Sequence, residues 1–461
     1  MPLYLIRFSV GGIPTTALEI MIYILFLVWV SIKIRKLLYR NFYSALAEGF
    51  SGFNRLYKNN FILSIGIALL FLGLIVSTFY SSDSKTSLGI FKGWFADPFL
   101  FFIVFISVIK KEKHIDLVLT SWLFSGIIVS LVSLYYLYTG ELTFDGRLHA
   151  FYLSPNHLAM YISPIFLIIL FFLLNRRSLD RKVFRIQYLP VGRQGLVLNI
   201  FLLIIFVPLY FTYSYGAFLG IFAGVVYLLA VGNKNNKKNK LNLVAHTQDV
   251  LSFLRGFSRR LRSFRPIVFQ SDWRLKSGRI QLLKFLHDKL LLIIFLSLIF
   301  TSFIFISSNK FDQIINSDNR SSFHSRLMIW NSAGEIIKDN PIFGIGPGTF
   351  QKTYLSYAEK FNEPYLEWAV PQPHNIFLAF YLQTGFIGFI GFILILSWFF
   401  KYNRFGNEAM PRCYGFIIVL MIYILIHGLV DTTYWKNDLS LMFWLIIGMA
   451  VIESNKINKL K

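Results

Sequence analysis

The residues best suited to chemistry lie in one polar segment, 308–374, which ends at His374-Asn375 directly before a long apolar run. A histidine titrates near neutral pH and can take a proton from a hydroxyl group. Arg326 carries the planar donor fork that binds a diphosphate and stabilises it as a leaving group. The segment therefore offers a general base and an anion-binding cation. For an isolated histidine at a helix start, capping is the competing interpretation.

Other chemistries have weaker support. Neither His-Glu-x-x-His nor Gly-x-Ser-x-Gly occurs, which disfavours a zinc hydrolase and a serine hydrolase. Glu359, Glu363 and Glu367 have helical spacing. Pro364 interrupts the helix that would align them, so we interpret them as solvated. The glycines of 344–348 lack the Lys-Ser/Thr of a phosphate-binding loop and predict a tight turn. We therefore predict no metal and no cofactor.

The composition is typical of a membrane protein. Of the 461 residues, 55% are hydrophobic and 18% are aromatic, and the apolar residues form runs of about 18 or more, the length of a membrane-spanning helix. Lys and Arg in cytoplasmic loops explain the formal net charge of +23, so we expect no nucleic acid partner. The one cysteine, Cys413, excludes an intramolecular disulfide.

Eleven apolar runs are long enough to span a membrane, which predicts an all-α polytopic integral membrane protein with about 11–12 transmembrane helices. His427 and Asp431, four residues apart, are predicted to share one helix face near the end of the tenth span. The predicted spans are 16–33, 61–80, 94–109, 116–138, 157–174, 196–213, 215–231, 290–307, 375–400, 414–430 and 438–452.

The basic residues predict the orientation of these spans. Every odd-numbered connection is rich in Lys and Arg, and every even-numbered connection is poor in them or balanced. The positive-inside rule places the even-numbered connections outside, including the large loop 308–374 between spans eight and nine. Segment 232–289 contains fourteen Lys or Arg and three acidic residues. It is predicted to be a basic cytoplasmic insert between the helices of 1–231 and those of 290–461.

Two groups of residues resemble segments of the O-antigen ligase and polymerase superfamily of bacterial envelope glycan enzymes. Asp145-Gly-Arg147 through Ser154-Pro155-Asn156 is similar to the family's arginine-containing segment, which ends in Pro-Asn before a span. Ser325-Arg326-x-x-x-Trp330 resembles the start of its external-loop signature. Asp339-Asn340-Pro341 and Phe343-Gly-Ile-Gly-Pro-Gly348 resemble the rest.

A third group is similar to the His-Asn motif of the ligases: His374-Asn375, nine residues, Gly385, two residues, Gly388. The resemblance implies a multi-pass protein of the bacterial inner membrane whose active loop faces the periplasm. Such a protein transfers a glycan from undecaprenyl diphosphate to an acceptor hydroxyl, which for a ligase belongs to a lipid A-core sugar. Its partners are then the lipid-linked donor, a lipid or glycan acceptor and the bilayer.

The resemblance also implies roles for particular residues. His374 acts as the general base or orients the acceptor, and Arg326 binds the diphosphate. Arginines that neutralise the leaving group remove the need for a metal. The residues expected to bind substrate are Arg147, Trp330, Asn375 and Tyr215. For Trp330, four residues after Arg326 and thus on the same helix face, packing in the core is the competing interpretation.

Two features depart from the family's pattern. Ser214-Tyr215-Gly216 stands where ligases usually carry Ser-Arg-Gly, and we count eleven spans instead of twelve. Two other members of the same family therefore stay open: an O-antigen or exopolysaccharide polymerase, and a protein O-oligosaccharyltransferase. A polysaccharide transporter or flippase without catalysis is the alternative outside the enzyme class.

Overall fold

The structure is a computed structural model, and every predicted site residue belongs to the unit formed by Met1–Leu228 and Ser325–Lys461. The predicted insert 232–289 and the predicted eighth span, 290–307, lie outside the described residues. The described residues are 3–11, 13–38, 60–109, 112–174, 191–230, 322–361, 369–402 and 415–460.

Helices form most of the described part of the chain. Before them come a 3₁₀ turn (Leu3–Leu5) and two short antiparallel strands, β1 (Arg7–Val10) and β2 (Ile13–Thr16), with Arg7 opposite Thr16. The helices are α1 (Ala17–Leu38), α2 (Phe61–Phe79), α3 (Ser84–Ile90), a π-helical turn (Phe91–Ala96), α4 (Asp97–Val108), α5 (Glu112–Thr139), α6 (Pro155–Leu174), α7 (Val191–Phe211), α8 (Tyr215–Ala230), α9 (Ser322–Asp339), α10 (Phe350–Phe361), α11 (Ile376–Tyr402), α12 (Gly415–Gly428) and α13 (Asn437–Leu460).

The predicted spans agree with these helices. Among the described residues, seven helical segments are long and apolar enough to cross a membrane, and three shorter apolar helices, Val197–Phe211, α8 and α12, accompany them. Together they account for every predicted span except the eighth. The prediction of an all-α polytopic membrane fold is confirmed.

The third span begins well before its predicted start at residue 94. It runs through α3, the π-helical turn and α4, because Asp83 caps its first turn by accepting the backbone N–H of Thr86 at 3.1 Å. Hydropathy excluded this stretch, which contains Lys92. Nζ of Lys92 lies 2.7 Å from Oε2 of Glu19 in α1, and this pairing makes a charged residue tolerable there.

Helices α2 and α11 pack with their backbones in contact. A Cβ atom on Gly73 would lie 2.2 Å from the backbone nitrogen of Gly388, and one on Gly66 would lie 2.9 Å from the carbonyl oxygen of Gly391. Small residues permit this close approach between helices in a membrane. Gly388, the last glycine of the His-Asn motif, therefore has a packing role.

The predicted outer loop contains two helices, α9 and α10, that pack on the beginning of α11. Ile329 and Ile336 of α9, Phe350 and Tyr354 of α10, and Leu382 of α11 belong to one buried apolar cluster. Burying such side chains stabilises their contact by roughly 1.5–3 kcal/mol each. This cluster fixes α9, which carries Arg326, relative to the helix that follows His374.

Candidate active site

His374 lies directly before α11, and its ring faces a buried carboxylate. Its Nδ1 atom is 3.2 Å from Oδ1 of Asp431, and 34% of the side chain is exposed. Its φ angle is +47°, a left-handed conformation that costs a non-glycine residue about 1 kcal/mol or more. Surrounding contacts must hold the residue in this conformation.

The residues around His374 supply these contacts. The indole N–H of Trp330 donates to the carbonyl oxygen of Pro373 at 3.0 Å. Oδ1 of Asn375 accepts two backbone N–H groups in the first turn of α11, at 2.9 and 3.1 Å, and so caps that helix. Nδ2 of Asn375 donates to the carbonyl oxygen of Leu429 at 3.0 Å. Trp330 and Asn375 thus support His374 from both sides, and their contact with substrate stays a prediction.

Asp431 follows α12 and is 3% exposed. Oδ1 also accepts the backbone N–H of Thr432 at 2.8 Å, and Oδ2 accepts Nδ2 of Asn156 at 2.8 Å. Burial by itself raises the pKa of a carboxyl group, but the hydrogen bond and charge of His374 hold the pKa of Asp431 below its usual range. An ionised Asp431 accepts a hydrogen bond from the Nδ1–H group of His374, which leaves Nε2 as the basic ring nitrogen.

Asp431 has a second partner that its spacing from His427 did not indicate. Helix α12 ends at Gly428, yet the backbone N–H of Asp431 still donates to the carbonyl oxygen of His427 at 3.1 Å, so the predicted proximity of the two residues holds. Nδ1 of His427 pairs with the hydroxyl group of Tyr423 at 2.8 Å in the helix interior, while the Asp431 carboxylate pairs with His374. The available sequence signal was an acidic residue directly after the long apolar run of the tenth span.

Arg147 lies in the loop before α6. Its Nε donates to the carbonyl oxygen of Thr212 at 2.8 Å, and its Nη2 donates to Oδ1 of Asn156 at 2.7 Å. Because Asn156 also donates to Asp431, a continuous chain of hydrogen bonds joins Arg147 to His374. We call His374, Asp431, Asn156, Arg147 and Arg326 the polar cluster.

Arg326 reaches the polar cluster from α9. Its Nε donates to the carbonyl oxygen of Val430 at 2.8 Å, which ties α9 to the turn that carries Asp431. Arg326 and Arg147 are close enough for their charges to interact, and burial is the main cause that lowers the pKa of Arg147. A guanidinium group stays protonated at neutral pH. Two like charges held near each other favour an anionic ligand.

Tyr215 begins α8, and its phenol group interacts electrostatically with Arg147. It therefore lies beside the polar cluster, at the position where the resemblance leads us to expect an arginine. Gly216 packs against His427, because a Cβ atom on Gly216 would lie 2.5 Å from Cδ2 of that ring. The glycine of this motif has a packing role, and a role for Tyr215 in substrate binding stays a prediction.

The glycines of 344–348 form a tight turn, as predicted. Gly344, Gly346 and Gly348 have φ angles of +67°, +91° and +79°, which glycine adopts without steric cost. The backbone N–H of Ile345 donates to the carbonyl oxygen of Leu382 at 2.7 Å. The N–H of Gly348 donates to Oε1 of a glutamine in α11 at 2.8 Å. These two N–H groups are committed to α11 and do not cradle a phosphate.

Gly385 places a kink beside this turn. It has φ +66° and ψ −179° within α11, and the carbonyl oxygen of Ile342 accepts the backbone N–H of Phe386 at 2.9 Å across the kink. A Cβ atom on Gly385 would lie 2.5 Å from that carbonyl oxygen. The first glycine of the His-Asn motif thus locks the 341–348 segment onto the helix that follows His374.

The polar cluster occupies one end of the helix bundle. Asn156 stands at the beginning of α6, His374 directly precedes α11, and Asp431 follows the end of α12. The fold and the cluster define a polytopic helical membrane protein with a His-Asp pair and two arginines grouped at one membrane face.

Residues 200–393 match the family described as O-antigen ligase, and this match supports the resemblance to the O-antigen ligase superfamily. Members of this family are glycosyltransferase-like ligases and polymerases, and the family implies a membrane environment and lipid-linked glycan substrates. The matched region contains Tyr215, Arg326 and His374, whereas Arg147, Asn156 and Asp431 lie outside it. No curated protein was found to match the chain.

Proposed function

We propose that the chain transfers a glycan from undecaprenyl diphosphate to an acceptor hydroxyl at the outer face of the bacterial inner membrane, as an O-antigen ligase does with a lipid A-core sugar. The observation that carries this proposal is the polar cluster. It combines a base supported by a buried carboxylate with two cations at the same end of the bundle. Glycosyl transfer from a diphosphate needs both.

His374 serves as the general base in this proposal. The acceptor hydroxyl attacks the anomeric carbon, a new C–O bond forms, and the hydroxyl proton passes to Nε2 of His374. Asp431 accepts from Nδ1 at 3.2 Å, which fixes the tautomer and stabilises the imidazolium that results. A positioned base of this kind contributes roughly 10²–10⁴-fold to a rate.

Arg326 and Arg147 bind the diphosphate. As the bond between the anomeric carbon and the phosphate oxygen breaks, its electron pair stays on undecaprenyl diphosphate, whose charge increases. Guanidinium groups placed there stabilise the leaving group more than the bound donor, which is the condition for faster catalysis. The hydrogen bond from Arg326 to Val430 links this site to the turn that carries Asp431.

The distribution of basic residues supports the outer location. The polar cluster draws on the connections before α6 and between α12 and α13, together with 308–374, and Thr212, which accepts a hydrogen bond from Arg147, lies in the connection between α7 and α8. All of these connections are poor in Lys and Arg or balanced, as expected of segments outside the cytoplasm. A donor in the outer leaflet would present its diphosphate at this membrane face.

A polymerase reaction is the second candidate, and Tyr215 is the observation that favours it. The ligase pattern has an arginine where Tyr215 stands beside Arg147. The set of cations that faces the donor therefore differs from that of a typical ligase. In the polymerase case the acceptor hydroxyl belongs to a growing glycan and the chemistry at the anomeric carbon is the same.

Glycan transfer in the native host tests the proposal. We would compare the wild type with His374→Ala and Arg326→Ala at matched membrane levels, and read glycan length and attachment on a gel. Lys338→Ala is the matched control, because Lys338 is an exposed cation on the same helix as Arg326 and pairs with Glu335 one turn away.

We expect both site variants to lose transfer and the control to keep it. Long chains that stay on the lipid carrier identify a ligase, whereas single repeat units identify a polymerase. Wild-type behaviour of both variants would reject the enzyme at these residues and favour a transporter.

A further inference from the structure

Asn156 occupies the place where the two halves of the polar cluster meet. Its Oδ1 accepts Nη2 of Arg147 at 2.7 Å, and its Nδ2 donates to Oδ2 of Asp431 at 2.8 Å. The orientation of this amide is unambiguous, because a guanidinium group only donates and a carboxylate only accepts. A side chain between Arg147 and Asp431 must therefore present an acceptor to the guanidinium group and a donor to the carboxylate, and the asparagine amide supplies both.

The other contacts of Arg147 and Asp431 make this bridge rigid. Nε of Arg147 is held by the carbonyl oxygen of Thr212, and Oδ1 of Asp431 is shared between His374 and the backbone N–H of Thr432. Asn156 itself lies in the first turn of α6. The amide therefore sets the separation between the guanidinium group and the carboxylate.

Arg147 already has one carboxylate beside it, since Oδ2 of Asp145 lies 3.9 Å from its Nη1 atom, and its charge also interacts with that of Asp431. Without the amide, Nη2 of Arg147 would lose its present acceptor and could turn to the Asp431 carboxylate. Opposite charges in a partly buried site attract strongly, and a direct ion pair would engage Arg147 and draw Asp431 away from His374. Such a pair would weaken both functions assigned above, because the diphosphate would compete with Asp431 and the imidazole would lose its acceptor.

We propose that Asn156 is a positioning residue that links Arg147 to Asp431 and keeps them from forming an ion pair. It thereby holds the diphosphate-binding cation and the His374–Asp431 pair in one geometry. This inference rests on the proposed function. It assigns to Asn156 no contact with either substrate.

The Asn156→Asp variant distinguishes a positioning role from a packing role, because only the positioning role predicts a recovery of activity in acid. At high pH, the new side chain would place a second carboxylate against Oδ2 of Asp431, and two adjacent carboxylates cannot both ionise comfortably. Once protonated, the new carboxyl group has the shape of the asparagine amide, with its C=O toward Arg147 and its O–H toward Asp431. The variant should therefore regain activity in acid.

Charged and titratable groups from several elements surround Asn156, and their own titration also changes transfer with pH. The pH dependence of the wild type measures this background. Transfer by each variant is therefore divided by transfer of the wild type at the same pH. The charged or titratable neighbours are Asp145, Arg147, His157, Tyr215, Arg326, His374, His427, Asp431 and Lys436.

The experiment uses membranes that contain the full chain and the host's own undecaprenyl-diphosphate-linked glycan, from about pH 5 to 8.5. For Asn156→Asp, normalised transfer should rise about tenfold for each pH unit of acidification until the shared proton is bound. The double variant Asn156→Asp with Asp431→Asn has no carboxylate pair, and its normalised transfer should show no rise in acid.

Three results would overturn the inference. They are wild-type transfer by Asn156→Asp at about pH 8, loss of transfer at every pH in a variant that inserts normally, and an equal rise in acid in the double variant. If Asn156→Asp fails to insert, Asn156→Gln and Asn156→Ala replace it. The Gln variant, which keeps the amide, should transfer about tenfold faster than the Ala variant, and equal rates would reject the bridge.

Parallel assays of His374→Ala and Arg326→Ala separate this inference from the proposed function. If both transfer glycan like the wild type, the proposed function fails whatever Asn156 does. If both lose transfer while Asn156→Asp follows the wild type at all pH values, the proposed function stands and only the bridge is rejected.

Discussion

Replacing Asp431 with asparagine removes the charge that faces His374 with almost no change in shape. The carboxylate accepts three hydrogen bonds, from His374, Asn156 and the backbone of Thr432. Whichever way the new amide turns, its NH₂ group meets a donor, so at least one bond is lost. A hydrogen bond to a charged group contributes roughly 1.5–3 kcal/mol, which corresponds to about 10- to 150-fold in rate.

We therefore expect Asp431→Asn to transfer glycan about 10- to 150-fold more slowly than the wild type at neutral pH. The assay is release of undecaprenyl diphosphate in host membranes at matched protein levels. Asp83→Asn is the matched control: it makes the same chemical change at an exposed helix start, where asparagine caps as well as aspartate. Equal rates for Asp431→Asn and the wild type would refute the support of His374 by Asp431.

Three further predictions follow from the same structure. Gly385→Ala should lower the melting temperature in detergent, because φ is +66° and the new Cβ would meet the Ile342 carbonyl at 2.5 Å. Its control, Gly334→Ala, meets no atom within 4 Å and should stabilise α9 by about 0.5–1 kcal/mol. Trp330→Phe loses the 3.0 Å bond to Pro373, so transfer should fall about fivefold for about 1 kcal/mol. Trp94→Phe, which loses a similar bond to Asn437, should lower stability with a smaller loss of transfer. Finally, the pKa of Asp431 is depressed, so its ionised form stabilises the folded state above the unfolded pKa of about 3.9. The difference in melting temperature between the wild type and Asp431→Asn should persist at about pH 5 and disappear only as the pH falls through the depressed pKa. If the difference in melting temperature has already disappeared at about pH 5, the depressed pKa of Asp431 is contradicted.

The fold followed largely from hydropathy, because a helix that crosses a membrane must be apolar over most of its length. Ten predicted spans fall on helices for this reason. The third span was cut short because Lys92 is polar, and its partner Glu19 lies in a different helix. No periodicity within one segment could have paired them.

The site was predictable only in part. His374, Arg326 and Arg147 carry side chains with an obvious chemical capacity, and the structure brings them to one end of the bundle. Asp431 was predicted to be a neighbour of His427 because a four-residue spacing suggests one helix face. The two residues are neighbours, but the spacing did not indicate that the Asp431 carboxylate also pairs with His374, 57 residues earlier in the chain, because a contact between distant segments leaves no local signal.

The sequence by itself determined which segments enter the membrane, which ones carry charge and which side chains can bind a diphosphate or take a proton. These are properties of composition and of the local order of residues, and they do not depend on how the helices pack together. Only the tertiary structure decided that Asn156 lies between Arg147 and Asp431, and that Asp431 supports His374. Asn156 and Asp431 are 275 residues apart in the chain, and their contact exists because α6 begins where α12 ends.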